Sequence, residues 1–284
     1  MVRDLKLVFI CLAAASVGCG GGADRAAPPV AAPASPPASA LPAAAPFVKR
    51  MATQDGSKDS TAEMRLTLEG AGGKRAQLDF RLQRKYAPAQ TSTFLTVTAP
   101  REETEKTLLA FERPDQATEA LSYLAGLNRV ARLNSSSQLS LGDAKVAVQE
   151  LLALELDQYA AKAIGREGDG GEAVVKFEFT AEPDRGLAFP RMVGYFRERD
   201  QSPARFELYN GRDELAKTAA IEEVKEIQGR RAVTRVAIND HLQQRKLQLV
   251  TRDIKFDRGL DDALFTEAHL RKTVSEASRR LIGN

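Results

Sequence analysis

The 284-residue sequence predicts a mainly β (α+β) domain built on a single antiparallel sheet with a few helices. From Phe47 onward the dominant hydrophobic period is two, the repeat of a strand with one buried face. Clusters of turn-forming residues separate these runs at spacings that suit hairpins. The strand–helix–strand spacing of a parallel sheet does not occur, so the strands are expected to follow one another as a meander.

The elements follow in chain order. Arg3 and Lys6 precede an eleven-residue apolar run, 7–17, which stops at Gly18-Cys19. That is the layout of a secretory signal peptide over residues 1–18. As a helix the run would be about 16 Å long at ~1.5 Å per residue, half of the ~30 Å hydrocarbon core and too short for a permanent span. Ser16-Val17-Gly18-Cys19 resembles a bacterial lipobox, with Ser16 where Leu is usual. That resemblance implies that Cys19 is lipidated and begins the mature chain; an ordinary cleavage near Ala15 or Gly22 is the alternative. Residues 19–46 then form a tether. Eleven Ala and seven Pro among positions 23–46 offer no packed core and favour extended backbone. At ~3.1 Å per residue the tether reaches roughly 75 Å.

The folded body is expected over residues 47–272. In 62–69, Ala62, Met64, Leu66 and Leu68 share a face; after Gly70-Ala-Gly-Gly73 the alternation resumes with Ala76, Leu78, Phe80 and Leu82. Further strands are expected at 92–98, 105–111, 173–180, 191–198, 204–209, 216–227, 232–239 and 244–256. Asn210-Gly-Arg-Asp213 and Gln228-Gly229 are among the turns between them. Helices are expected at 46–55, at 144–155, which is rich in helix formers, and as one capped turn at 261–265. Residues 273–284 form a tail, with a frayed amphipathic helix over 274–282.

Composition limits the chemistry. Lys plus Arg number 41 against 38 Asp plus Glu, a formal charge of +3 that implies no nucleic-acid partner. Cys11 and Cys19 are the only cysteines, so the 265 residues after them hold no disulfide or thiolate metal site. His241 and His269 lack ligand spacing, and no metal or cofactor is expected. Ser135-Ser-Ser137 with His241 and Asp143 supplies triad residue types, but no Gly-x-Ser-x-Gly elbow is present. The segment 165–171 lacks the Lys-Ser/Thr of a phosphate loop. No catalytic residue is assigned.

Several stretches resemble the LolA/LolB-like outer-membrane lipoprotein-sorting family: Leu109-Ala-Phe-Glu-Arg-Pro114, Leu121-Ser-Tyr-Leu-Ala-Gly-Leu-Asn-Arg-Val-Ala-Arg-Leu133 with Ser135-Ser-Ser137, Ala204-Arg-Phe-Glu-Leu-Tyr209, and Asp253-Ile-Lys-Phe-Asp-Arg-Gly-Leu-Asp-Asp-Ala-Leu-Phe-Thr266 before Leu270-Arg-Lys272. The last is the most specific. The family's tyrosine-leucine-proline step is Tyr123-Leu124-Ala125 here, and its methionine-glycine-serine-aspartate step is reduced to Leu141-Gly142-Asp143.

The resemblance implies an unclosed barrel of about eleven strands, with helices over a concave apolar face that receives an acyl chain. Leu66, Leu68, Leu78, Phe80, Phe94, Val97, Phe177, Phe179 and Phe196 are the expected linings. They serve equally well as filled sheet core, and sequence does not separate the two. Arg113, Arg129 and Arg132 are the expected contacts to a lipid head group or covering helix, with a solvated strand face as the alternative. The implied role is a non-catalytic envelope lipoprotein, anchored at the outer membrane and facing the periplasm, that binds an acyl chain of a lipoprotein or lipid. A sensor of envelope stress or an accessory module of an RND-type transporter, binding a protein partner, is the second reading.

Overall fold

In the computed structural model, residues 7–8, 41–52, 56–70, 73–113, 116–141, 144–154, 156–168, 173–182 and 186–282 are described. Cys19, residues 20–40 of the tether, most of the signal segment and Asp143 lie outside them.

Leu7–Val8 is the short strand β1, and α1 spans Ala45–Ala52. Six strands follow: β2 (Asp59–Glu69), β3 (Arg75–Ala87), β4 (Gln90–Ala99), β5 (Thr107–Glu112), β6 (Glu119–Leu124) and β7 (Arg129–Leu133). A connector over 134–158 holds the hairpin β8 (Gln138–Leu141) and β9 (Ala144–Ala147), the single-turn α2 (Val148–Leu151), and β10 (Ala153–Leu154), which pairs with β1. Seven more strands complete the sheet: β11 (Tyr159–Glu167), β12 (Val174–Ala181), β13 (Arg191–Arg197), β14 (Pro203–Tyr209), β15 (Leu215–Ile227), β16 (Arg230–Asp240) and β17 (Arg245–Phe256). The chain closes with α3 (Glu267–Ile282).

Among the described residues thirteen strands form one curved antiparallel sheet, in the order β11 to β17 and then β2 to β7. It consists of two meanders joined by the pairing of β17 with β2. The edges β7 and β11 do not pair with each other, so the barrel is unclosed, as expected. The count exceeds the expected eleven. The segments passed over in the sequence include β6, β7 and β11, whose alternation is weak; β11 is a mostly exposed edge with an irregularity between Ala163 and Gly165.

Local chemistry sets the turns. Gln228 (φ 52°) and Gly229 (φ 74°) make a two-residue hairpin whose backbone twist matches its strands, placing Ile227 opposite Arg230. The Asn210 carboxamide accepts from the Arg212 and Glu214 N–H groups and shapes the β14–β15 turn.

One helical expectation is corrected and two are extended. Where one helix was expected over 144–155, residues 144–154 form β9, one turn of α2 and β10. Val146, Ala147, Val148, Glu150, Leu151 and Leu152 are all buried, so this segment threads the interior and has no polar face to give a surface helix. The frayed tail helix over 274–282 is the second half of α3, and Val274 is fully buried. Helices cover the concave face as expected, through α1 and α2, and α3 in addition covers the outer face of the sheet. In β4 to β6, Phe94, Leu109 and Leu121 pair across strands on the outer face, and Phe265, Leu270 and Val274 pack onto them.

The 253–266 stretch positions that helix. The buried Asp59 carboxylate accepts from the N–H groups of Arg258 (2.6 Å), Gly259 (2.9 Å) and Leu260 (3.1 Å). Gly259 has φ +71°, a conformation only glycine adopts without strain. Lys85 of β3 donates to the Leu260 carbonyl and pairs with Asp262, while Asp261 caps the turn that carries Phe265. The chain is thereby turned from the end of β17 onto the outer face.

Candidate functional site

The inner face of the sheet is a continuous apolar surface. One cross-strand row runs Phe177, Gly194, Phe206, Ala219, Ile238, Leu247 and Leu68 from β12 round to β2. A parallel set continues through Leu66 and Leu78, and Phe80 lies opposite both Met64 and Val97. Each strand contributes every second residue, so the surface is a direct product of the alternation.

At the β12–β14 end the surface is aromatic. Phe177 and Phe196 lie 5.7 Å apart, Phe196 and Phe206 5.6 Å, and Phe179 and Phe196 6.3 Å, centre to centre. Gly194 lets the rings close over the backbone: a Cβ there would lie 2.7 Å from a Phe196 ring carbon and 2.9 Å from carbons of Phe179 and Phe206. Packed rings cannot swing aside as a flexible chain end would. Gly194→Ala should therefore destabilise the fold by about 1–3 kcal/mol through overpacking. A denaturant midpoint equal to that of the parent would show that the ring cluster is looser than its geometry indicates.

This face is occupied by the chain itself. Phe47 of α1 sits 4.9 Å from Phe177 and 5.9 Å from Phe196, while Val148, Leu151, Leu152 and Leu156 of the connector join the same cluster. Leu66, Phe80, Phe177, Phe179 and Phe196 have no accessible surface, so the space in front of them is filled. A cavity beside Glu112, Gln149 and Leu187 measures only about 10 Å³, too small for an acyl chain.

Eight of the nine expected linings, Leu66, Leu68, Leu78, Phe80, Val97, Phe177, Phe179 and Phe196, share this surface. Phe94 is corrected. It points to the outer face, its ring 5.0 Å from the tilted His269 ring beneath α3. Arg113 and Arg132 both pair with Glu119, and Arg132 stands opposite Leu121 on the outer side; Arg129 is exposed at the start of β7. Among the described residues, none of the three is hydrogen-bonded to the segments that cover the inner face. Cys19 lies outside the described residues.

Sequence reasoning missed the polar groups that seat the connector. Lys217 of β15 lies 3.2 Å from Glu150 of α2 and 3.3 Å from Asp240 of β16, and all three side chains are fully buried. Burial pushes the Glu150 carboxyl up to about 8, Asp240 adding to the rise while Lys217 and a backbone hydrogen bond oppose it. At neutral pH Glu150 is therefore a neutral acid accepting from Lys217, whose charge is balanced by Asp240. The Asp240 carboxylate also accepts from the Leu242 and Gln243 N–H groups. On the other side of α2, Gln149 donates to the Tyr159 hydroxyl and accepts from the Ala188 N–H at 2.6 Å. The Ser137 and Ser135 carbonyls accept from the Val148 and Gln149 N–H groups, so the serine cluster supports α2. Lys217, on the same parity as the apolar Ala219 and Ile221 of β15, was the readable signal.

The histidines are apart from these serines in the hydrogen bonding: His241 bonds Thr218, and His269 meets the Phe94 ring. Among the described residues no group of three His, Cys, Asp or Glu side chains could hold a metal ion, and no helix is long and apolar enough to cross a membrane.

A family model for DUF1329-like chains, described as an uncharacterized protein, matches residues 89–272. No curated protein matches. Among solved structures the chain is similar to a DUF1329 family protein from Desulfovibrio piger, with a TM-score of 0.69 and 21% identity over 76% of this chain and 93% of that one. It is similar to a proposed outer membrane lipoprotein-sorting protein domain from Vibrio parahaemolyticus, at 0.68 and 22% over 77% and 94%. A LolA superfamily protein from Nitrosomonas europaea matches at 0.66 and 18% over 80% and 99%. At these identities the likeness is one of fold.

Proposed function

Starting from a chain that belongs to the DUF1329-like family and has a fold shared with the LolA superfamily, we propose that it is a non-catalytic lipid- or lipoprotein-binding protein of the bacterial envelope. The observation that carries this reading is the nature of the cover. A continuous apolar inner face is closed by an eight-residue helix and a single helical turn, neither of which belongs to the strand ladder of the sheet, α2 being held to it by the Glu150 and Gln149 side chains. Withdrawal of α1 and α2 would expose a surface suited to one acyl chain.

The energies allow such an exchange. Burying about 15 methylene groups at ~0.8 kcal/mol each stabilises by roughly 12 kcal/mol. Uncovering Phe47, Val148, Leu151, Leu152 and Leu156 costs roughly 1.5–3 kcal/mol apiece. The two apolar amounts are of similar size, and withdrawal of α2 must in addition separate Glu150 from Lys217, so an acyl chain offsets most of the cost of uncovering whereas water offsets none of it.

The same reading makes Cys19 the lipid anchor, with the tether holding the body in the periplasm and the outer membrane as its site. Native mass spectrometry of the protein extracted from its own membrane should find lipid or lipoprotein bound beyond the anchor itself. Recovery of only the anchored, otherwise empty chain would overturn the binding role. Cys19→Ser should move the protein to the soluble fraction, and continued membrane attachment would refute the anchor.

A further inference from the structure

A further cavity lies away from the inner face. It is a groove of about 1120 Å³ on the outer side, between α3 and strands β3 and β4. Its floor is apolar where the Phe94 ring meets the tilted His269 ring. Burial and the nearby Lys272 hold the imidazole below its ordinary range, against the opposing pull of Glu276, leaving it a neutral donor and acceptor.

Above the floor the groove is rich in guanidinium. Arg81, Arg101, Arg279 and Arg280 line it, against the single carboxylate Glu276. Arg81 is paired with Glu63, and Arg101 donates to the Arg280 carbonyl, fixing the last turn of α3. Arg279 donates to the Ser275 carbonyl within its own helix, and neither it nor Arg280 has a carboxylate partner among the described residues. Thr98 and Thr273 add hydroxyls on the two walls.

We propose that this groove binds a phosphate ester, the phosphate held by Arg279 and Arg280 and the attached organic group resting against Phe94 and His269. The planar guanidinium fork matches a phosphate's oxygens, and hydroxyls complete its coordination by hydrogen bonds. The volume exceeds what a bare phosphate needs, which favours a phosphate bearing a glycerol or larger group. The site lies on the face opposite the acyl-binding surface, so it stands independently of that reading.

The test uses the full chain in calorimetric titration with two probes, sn-glycerol 3-phosphate and monomeric dihexanoylphosphatidylglycerol. Saturable one-to-one binding of either is expected. Tighter binding of the lipid assigns a phospholipid head group as the source, and equal binding assigns a soluble phosphate ester. Arg279→Gln with Arg280→Gln, both exposed positions, should weaken binding by roughly tenfold or more. Arg199→Gln with Arg212→Gln, two exposed positions outside the groove, removes the same net charge elsewhere and should leave the affinity unchanged. No saturable binding of either probe, or an equal loss in both double variants, would overturn the proposal.

Discussion

Lys217→Met is expected to lower the unfolding free energy by about 3–5 kcal/mol, because it leaves Asp240 charged, buried and without its cation. The side chain is fully buried, and its ammonium is the shared partner of Glu150 and Asp240. Lys217→Met with Asp240→Asn should recover most of the loss, since the Asn oxygen can still accept from Leu242 and Gln243. A single variant as stable as the parent in urea would mean that water reaches the triad. Glu150 adds a pH signature. Its carboxyl, ordinarily near 4.5, is held at about 8 in the fold. Between those values the unfolded chain has released a proton that the folded chain keeps, so stability falls as pH rises through the window. Glu150→Gln should remove that slope and gain on the parent toward pH 8. Comparing the two profiles isolates Glu150, because the opposing contribution of His269 is common to both.

Phe177→Ala and Phe47→Ala should separate wall from cover. Phe177 is fully buried between Phe47 and Phe196, and its truncation is expected to cost about 3–5 kcal/mol. Phe47 belongs to an eight-residue helix outside the sheet. Its truncation also leaves a void, but one that an acyl chain can fill. Lipid retained per folded molecule should therefore rise for Phe47→Ala and fall for Phe177→Ala. If Phe47→Ala folds and retains no more lipid than the parent, α1 is part of the permanent core and the proposed exchange is wrong.

How much of this was legible follows from the strand period. Hairpins such as Leu66 against Leu78 were readable because each residue's face is set by parity alone. Parity also could have excluded Phe94: it is three residues from Val97, and an odd separation in a regular strand puts two side chains on opposite faces. Leu108, Leu109 and Ala110, buried in succession, could have announced a stretch covered on both sides and hence an outer helix. The connector was less accessible. Ala- and Leu-rich composition favours a helix, but tertiary burial on all sides decided otherwise. Nothing local to Glu150 or Asp240 indicates that they meet Lys217, since the three are brought together only by the closing of the sheet around α2.

The seam between β17 and β2 has a consequence for how the protein is made. Leu66 and Leu249, which face each other across it, are 183 residues apart in the chain. During synthesis the first meander therefore emerges with one long edge, β2, lacking its neighbour until β17 has been made. Such a distant closure must overcome a large loss of chain freedom before any contact rewards it, and it belongs among the slow steps of folding. A polypeptide whose central joint is completed last keeps β2 as an open edge, available to holding chaperones, until β17 has been made.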